Sequence, residues 1–196
     1  MIDKNSTKKE VLEAVKQDGW ALQYASAELR ADREVVMEAV KQDGWVLRYA
    51  YVEFSNDREV VLAAVQQDGL ALEDASRELR GDRKVVMAAV QENGYALSDA
   101  SPELQGNRDV VMVAVKRTGQ ALEYASEELR NDKEVVLQAV EQDGYALEYA
   151  SDELRADRDV VLVAVKRNRR ALLHVSDELL CEMAECWAKC VEGKND

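Results

Sequence analysis

The sequence predicts an all-α solenoid, and three observations carry that prediction. A 25-residue unit recurs seven times without a gap, over 7–31, 32–56, 57–81, 82–106, 107–131, 132–156 and 157–181. Within each unit the apolar residues fall at helical spacing, and in six of the seven a glycine closes the helix at the same place. The first and last units depart from the pattern at positions that an interior repeat would bury. A fixed period on the order of 20–50 residues marks architectures whose units pack only on their neighbours. One such unit buries too little apolar surface to offset the entropy of ordering its own chain, so the units have to stack. The expected organisation is a single α-solenoid domain over 1–196, with a C-terminal cap over 182–196.

Each unit opens on a helix-capping residue whose oxygen accepts a free backbone N–H: Asp32, Asp57, Asp82, Asp132 and Asp157, with Thr7 and Asn107 in the equivalent place. A basic residue and a variable one follow, then Val-Val-Leu/Met-x-Ala-Val. Val35, Val36, Ala39 and Val40 make one buried stripe of an amphipathic helix. Valine is a weak helix former, so a helix this short depends on packing rather than propensity.

The helix is expected to stop at Asp-Gly, or at Asn-Gly and Thr-Gly in repeats four and five. Gly19, Gly44, Gly69, Gly94, Gly119 and Gly144 would then hold the left-handed position past the helix end. The next residue (Trp20, Trp45, Leu70, Tyr95 or Tyr145) would pack back on Val15 or its equivalents. Asp-Gly does not signal calcium here, because the alternating oxygen ligands and terminal Glu of a calcium loop are missing.

A shorter helix, Ala-Leu-x-x-Ala, comes next, followed by Ser-x-Glu-Leu. The chain's one proline, Pro102, directly follows Ser101, the favoured first position of a helical turn. Ser26, Ser76, Ser101, Ser126, Ser151 and Ser176 are therefore read as caps of one further turn. The recurring Glu28, Glu53, Glu78, Glu103, Glu128, Glu153 and Glu178 lie near its positive end. The recurring cations Lys8, Arg33, Arg58, Arg83, Arg108, Lys133 and Arg158 oppose the helix dipole, and pairing with those glutamates in a ladder is the expected compensation.

At the start, Thr7 and Glu10 form a capping box, and Glu10 replaces a valine that would otherwise meet a preceding repeat. At the end, Arg169 replaces the glycine, and Leu173, Val175 and Leu180 add apolar surface. A final helix over 177–192, carrying Leu180, Met183, Ala184, Trp187 and Val191, is read as a lid on the last repeat. Cys181, Cys186 and Cys190 are read as small packing residues rather than as zinc ligands with His174, since their spacing is no recognised zinc pattern.

The string DKEVVL-AV-Q-G-ALEYAS-ELR-D resembles the repeats collected as domain of unknown function 4116, over about 7–181. The resemblance implies a tandem array of short helical units. It brings no established catalytic, cofactor-binding or ligand-binding residues. The departures at Tyr51 for Ser, Phe54 for Leu, Arg169 for Gly and Val175 for Ala imply a local bend in repeat two and a cap in repeat seven. A more distant likeness to leucine-rich variant repeats bears on architecture alone.

Composition narrows the function. A net charge of −13 disfavours nucleic acid, whose affinity comes from Lys and Arg on phosphates, and it would repel anionic lipid. The basic cluster Lys166, Arg167, Arg169 and Arg170 is read as a solvated end. The N-terminal MIDKNSTKKE has no apolar signal region, no stretch approaches a membrane span, and the cysteines cluster at one end. These features suggest a reducing, intracellular and cytoplasmic setting. Catalysis has little to stand on: there is one histidine, no nucleophile motif, no phosphate loop, and carboxylates that recur once per repeat instead of converging. The chain is expected not to be an enzyme and to need no cofactor or metal.

The informative positions are those that differ between repeats. Residues 20, 23, 24 and 27 and their equivalents share one face of the short helix and vary widely. Tyr24, Tyr49, Tyr124 and Tyr149 occupy the position held elsewhere by Asp74 and Asp99, so part-exposure is expected. Trp20, Tyr24, Trp45, Tyr49, Tyr95, Tyr124, Tyr145 and Tyr149 are the candidate partner-binding residues, because aromatic side chains dominate binding hot spots. The expected partner is a protein or peptide. The alternatives are a structural spacer or accessory subunit of a larger assembly and, disfavoured by the acidity, an RNA-binding helical repeat.

Overall fold

The structure, a computed structural model, describes residues 2–182. It is all-α, with no strand among the described residues, and is built of repeated units that pack neighbour to neighbour. Six repeats open with a ten-residue α-helix: Lys8–Gln17, Arg58–Gln67, Arg83–Glu92, Arg108–Arg117, Lys133–Gln142 and Arg158–Arg167. In repeat two the helix covers only Arg33–Val40. Each helix leads into a six-residue segment that is a 3-10 helix rather than the expected short α-helix: Gly19–Tyr24, Gly44–Tyr49, Gly69–Asp74, Gly94–Asp99, Gly119–Tyr124, Gly144–Tyr149 and Arg169–His174. A closing turn completes the unit. It is α-helical at Ala27–Arg30, Pro102–Gln105, Glu127–Arg130 and Asp152–Arg155, and 3-10 at Val52–Asn56 and Leu79–Gly81. Residues 177–182 are helical, and the remainder of the expected lid, including Cys186 and Cys190, lies outside the described residues.

The core is the stripe read from the sequence. First helices stack on first helices and 3-10 segments on 3-10 segments, which makes two layers. Val35, Val36, Ala39 and Val40 and their equivalents in repeats three to six are fully buried, as are Leu22, Leu72, Leu97, Leu122 and Leu147 from the second layer. No polar residue is buried among the described ones.

The glycines correct the first expectation. None has a positive φ, so none is a left-handed cap. The helix is stopped instead by the residue before, for example Asp18 at φ −148°, whose carboxylate accepts the N–H of Trp20 two residues on and starts the 3-10 turn. The glycine is required by its neighbour across the junction. A Cβ at Gly44 would lie 2.3 Å from the carbonyl oxygen of Ala64, and one at Gly144 would lie 2.2 Å from that of Ala164. Each is the equivalent alanine in the first helix of the next repeat. Arg169 is permitted because, among the described residues, no further repeat sets a helix carbonyl against it.

A second connection runs along the closing turns. The backbone N–H groups of Tyr51, Ser76, Ser101, Ser126, Ser151 and Ser176 donate to the carbonyls of Arg30, Ser55, Arg80, Gln105, Arg130 and Arg155, at 2.7–3.1 Å, so that all six junctions carry the same bond. Ser26, Ser76, Ser126, Ser151 and Ser176 cap their turns through the hydroxyl, as expected. Ser101, before Pro102, makes no side-chain cap.

The ion-pair ladder also exists, but with a different mate. The recurring cation of one repeat pairs with the capping Asp of the next: Lys8 with Asp32 at 2.7 Å, Arg33 with Asp57 and Arg58 with Asp82 at 2.9 Å, Arg108 with Asp132 at 3.1 Å and Lys133 with Asp157 at 2.7 Å. The acid two residues beyond the cap, such as Glu34 or Asp159, takes a second contact. At the junction where the cap is Asn107, Arg83 reaches Asp109 instead. The recurring Glu of Ser-x-Glu-Leu is not the partner. Geometry explains why: the cation and the next cap both sit at first-helix N-termini that stack side by side.

Each capping Asp thus serves both the backbone N–H groups of its own helix and the cation behind it. For Asp32, Asp57 and Asp132 partial burial alone would raise the pKa, but the cation and the backbone bonds together hold it below the ordinary 3.8. For Asp82 and Asp157 the cation is the largest influence, and the shift is again downward. A carboxylate depressed in the folded state contributes stability above its unfolded pKa and loses it as pH falls through the folded one. We therefore predict that stability against urea declines from about pH 5 downward through these five groups. Relief of the −13 net charge acts the other way over the same range. The readout is accordingly the difference from an Asp57→Asn/Asp132→Asn chain, whose pH slope should be shallower. Equal slopes would remove the ladder as a source of acid sensitivity.

Candidate functional site

The variable positions of the 3-10 segments meet across the junctions. At three junctions the residue after the glycine lies against the residue four further on in the next repeat. Trp20 packs edge-on against Tyr49, with centroids 5.7 Å apart; Tyr95 packs against Tyr124 at 6.5 Å, and Tyr145 against His174 at 4.7 Å. At the second junction Arg48 lies over the Trp45 ring at 4.7 Å and pairs with Asp74 at 3.2 Å. The expected contact of Trp20 and its equivalents with their own helix does not include this reach across the junction, which Trp20, Trp45, Tyr95 and Tyr145 make. They reach forward to the neighbour, because the 3-10 segment aims its first side chain along the stacking direction.

The forward reach has a polar component. The indole N–H of Trp20 donates to Asp43 and that of Trp45 to Asp68, both at 2.7 Å, and the Gln120 amide donates to Asp143 at 2.8 Å. Each acceptor is the turn residue before the next repeat's glycine. Where the residue after the glycine is Leu70, Tyr95 or Tyr145, the following turn residue is Asn93, Thr118 or Asn168 instead of an acid. At the six junctions an acid stands in the turn only where an N–H donor reaches it from the repeat before.

Of the eight candidate residues, Tyr24 is 56% exposed, since no earlier repeat packs on it; the other seven are half-buried in junctions. Tyr124 and Tyr149 titrate higher than free tyrosine, first through burial and then through nearby Glu123. Tyr145 does so through the charge on Glu148. Burial likewise raises Asp99, which accepts a hydrogen bond from Ser98.

What lies open on this face is a row of shallow grooves between closing turns, at repeats three and four, five and six, and six and seven. The groove of repeats five and six has a volume of about 440 Å³, lined by Glu127, Arg130, Glu148, Tyr149, Asp152 and Arg155 among others. Arg77, Arg80, Asp99 and Pro102 line its smaller counterpart at repeats three and four. Over repeats one and two the matching positions, four repeats earlier, are Ala27, Arg30, Arg48, Tyr49, Tyr51, Val52 and Ser55. Tyr51 is 54% exposed and Val52 78%. These two are not among the candidates, although Tyr51 stands out in the sequence as a break in the repeat. It also lacks the capping hydroxyl, so the turn it opens, Val52–Asn56, has no side-chain cap.

No group of three or more His, Cys, Asp or Glu among the described residues is arranged to hold a metal ion, and no described helix is long and apolar enough to cross a membrane. A sequence model of the family described as a domain of unknown function (DUF4116) matches residues 8–55, 57–105, 107–155 and 132–180. The last two matches overlap, and their starts at 107 and 132 lie one structural repeat apart, so each match spans two of the repeats. No curated protein and no solved structure matches the chain.

Proposed function

Because the chain belongs to the DUF4116 family, whose description assigns no activity, we propose a function from geometry: a non-catalytic interaction module that binds a protein or peptide along the groove row of its closing turns. One observation carries this reading. Glycines, capping acids, alanines and most of the aromatic residues are occupied by repeat-to-repeat contacts, whereas the groove lining differs from repeat to repeat and leaves Tyr51 and Val52 in solvent. Extended concave or grooved faces are what solenoids offer to partners.

A second reading, a spacer or accessory subunit, draws on a different fact: Trp20, Tyr49, Tyr95, Tyr124 and Tyr145 are engaged in aromatic contacts within the array. Photo-crosslinking separates the two. A benzoylphenylalanine at Tyr24, Val52 or Glu148 is compared with one at Gln66 or Glu92, on the exposed ends of first helices, in extract of the source cells. Crosslinks confined to the first set support the groove reading. Crosslinks confined to the second would leave the spacer.

A further inference from the structure

The groove row changes character along its length. At repeats one and two the positions that match the groove lining are uncharged but for Arg30 and Arg48, and Arg48 is already paired with Asp74. Alanine and valine stand there at the positions that carry Glu127 and Asp152 four repeats later. Repeats three and four set Arg77 and Arg80 against Asp99. At repeats five and six the side chains of Glu127 and Asp152 project almost fully into solvent, 94% and 99% exposed, with Glu148 beside them. Arg155 pairs with Asp152 at 3.3 Å through one Asp152 oxygen, whereas Arg130 stays 4.0 Å from Glu127. Repeat seven continues the acidic end with Asp177.

Folding does not account for the exposed apolar pair. It accounts for the acids only in part, since Glu127 and Asp152 stand in the first turn of their short α-helices within reach of Arg130 and Arg155. Tyr51 removes a turn cap, which weakens the turn it opens, and it exposes an aromatic ring next to an exposed valine. The acids add repulsion to a chain already at −13.

Resting on the groove reading above, we infer that the partner is a polypeptide segment of matching polarity: apolar side chains at the end that lies over Tyr49, Tyr51 and Val52, and lysine or arginine at the end that lies over Glu127, Glu148 and Asp152. The apolar end supplies buried area, since exposed aromatic and valine side chains gain when water is displaced. The acidic end supplies complementary charge, which sets orientation and speeds encounter more than it adds affinity.

The test uses the full chain and a fluorescein-labelled synthetic peptide with leucines in one half and lysines in the other, followed by anisotropy at about 150 mM salt, where distant charges are screened. Binding should weaken about tenfold in Glu127→Gln/Glu148→Gln/Asp152→Gln, as three exposed charge pairs predict. It should weaken comparably in Tyr51→Ser/Val52→Asp, a change that restores the consensus serine and so does not endanger folding. A peptide of the same composition in shuffled order should bind more weakly than the block peptide. A photoreactive group at the leucine end should mark residues around 49–52, and one at the lysine end residues around 148–152. Equal binding of block and shuffled peptides, indifference to both variants, or reversed crosslinks would overturn the inference. If native partners still crosslink to the groove row, such a failure leaves the interaction reading standing; if they do not, both fall.

Discussion

Gly144→Ala is expected to destabilise the chain by about 3 kcal/mol, the upper range for forcing a methyl group into a packed site. The new Cβ would meet the Ala164 carbonyl oxygen at 2.2 Å and the Asn168 nitrogen at 2.9 Å. Both are backbone atoms at the end of the next repeat's helix, where the N–H of the capping Asn168 donates to that same carbonyl at 2.8 Å. Neither can swing aside as a flexible side chain would, so relief requires the two repeats to move apart and open the valine layer between them. The comparison that isolates this cause is Gly81→Ala. There the nearest atoms are the Ser101 side chain at 3.8 Å or more, and φ is not positive. That substitution should raise stability by about 0.5 kcal/mol, through the smaller entropy of the unfolded chain. Urea denaturation of both variants decides the matter. Similar effects from the two would show that backbone freedom, rather than close approach, explains the glycines.

The contrast shows why the sequence leads part of the way only. Helix caps, the buried valine stripe, the turn after Ser and the period itself are local or repeated signals, and each has its structural counterpart. The glycines mislead because Asp-Gly after a helix suits two endings equally well, and the choice between them is made by an alanine in the next repeat. The ladder shows the same blindness in another form. The recurring Glu and the capping Asp both return once per repeat, so periodicity cannot tell which of them meets the cation. Asn107 could have discriminated, for it breaks the capping acid at one junction only, and there Arg83 turns to Asp109. On the candidate surface, variation singles out the 3-10 segments. It does not show that their first side chain points along the array, because that depends on the segment being 3-10 and on where the next repeat lies. The open grooves, one turn further on, are a property of two repeats at once.

The match between turn acids and forward donors leads to the second large effect. Asp68→Ala is expected to cost about 2–3 kcal/mol, because one carboxylate holds two bonds. It accepts the Leu70 N–H at 2.9 Å, a cap worth about 1 kcal/mol. It also accepts the Trp45 indole N–H at 2.7 Å, a charge-assisted bond that leaves a half-buried donor unsatisfied when lost, at about 1.5–3 kcal/mol. Asp68→Asn should keep most of the first and weaken the second, as Asn93 keeps its bond to the Tyr95 N–H at 3.1 Å behind a leucine that donates nothing. Trp45→Leu with Asp68→Asn recreates the natural Leu70–Asn93 junction one repeat earlier. The double variant should therefore cost less than the sum of its single changes, by about 1 kcal/mol in a double-mutant cycle. Strict additivity would mean that the acid and the indole are neighbours by coincidence. Coupling would mean that each junction is fitted to one particular pair of repeats. Near-identical units can stack out of register only if their junctions are interchangeable, and with such coupling the Trp–Asp, Leu–Asn, Tyr–Thr, Gln–Asp and Tyr–Asn junctions would not be exchangeable for one another. The differences between repeats would then have two separate uses: those facing along the stack hold the order of the units, and those in the grooves are free to meet a partner.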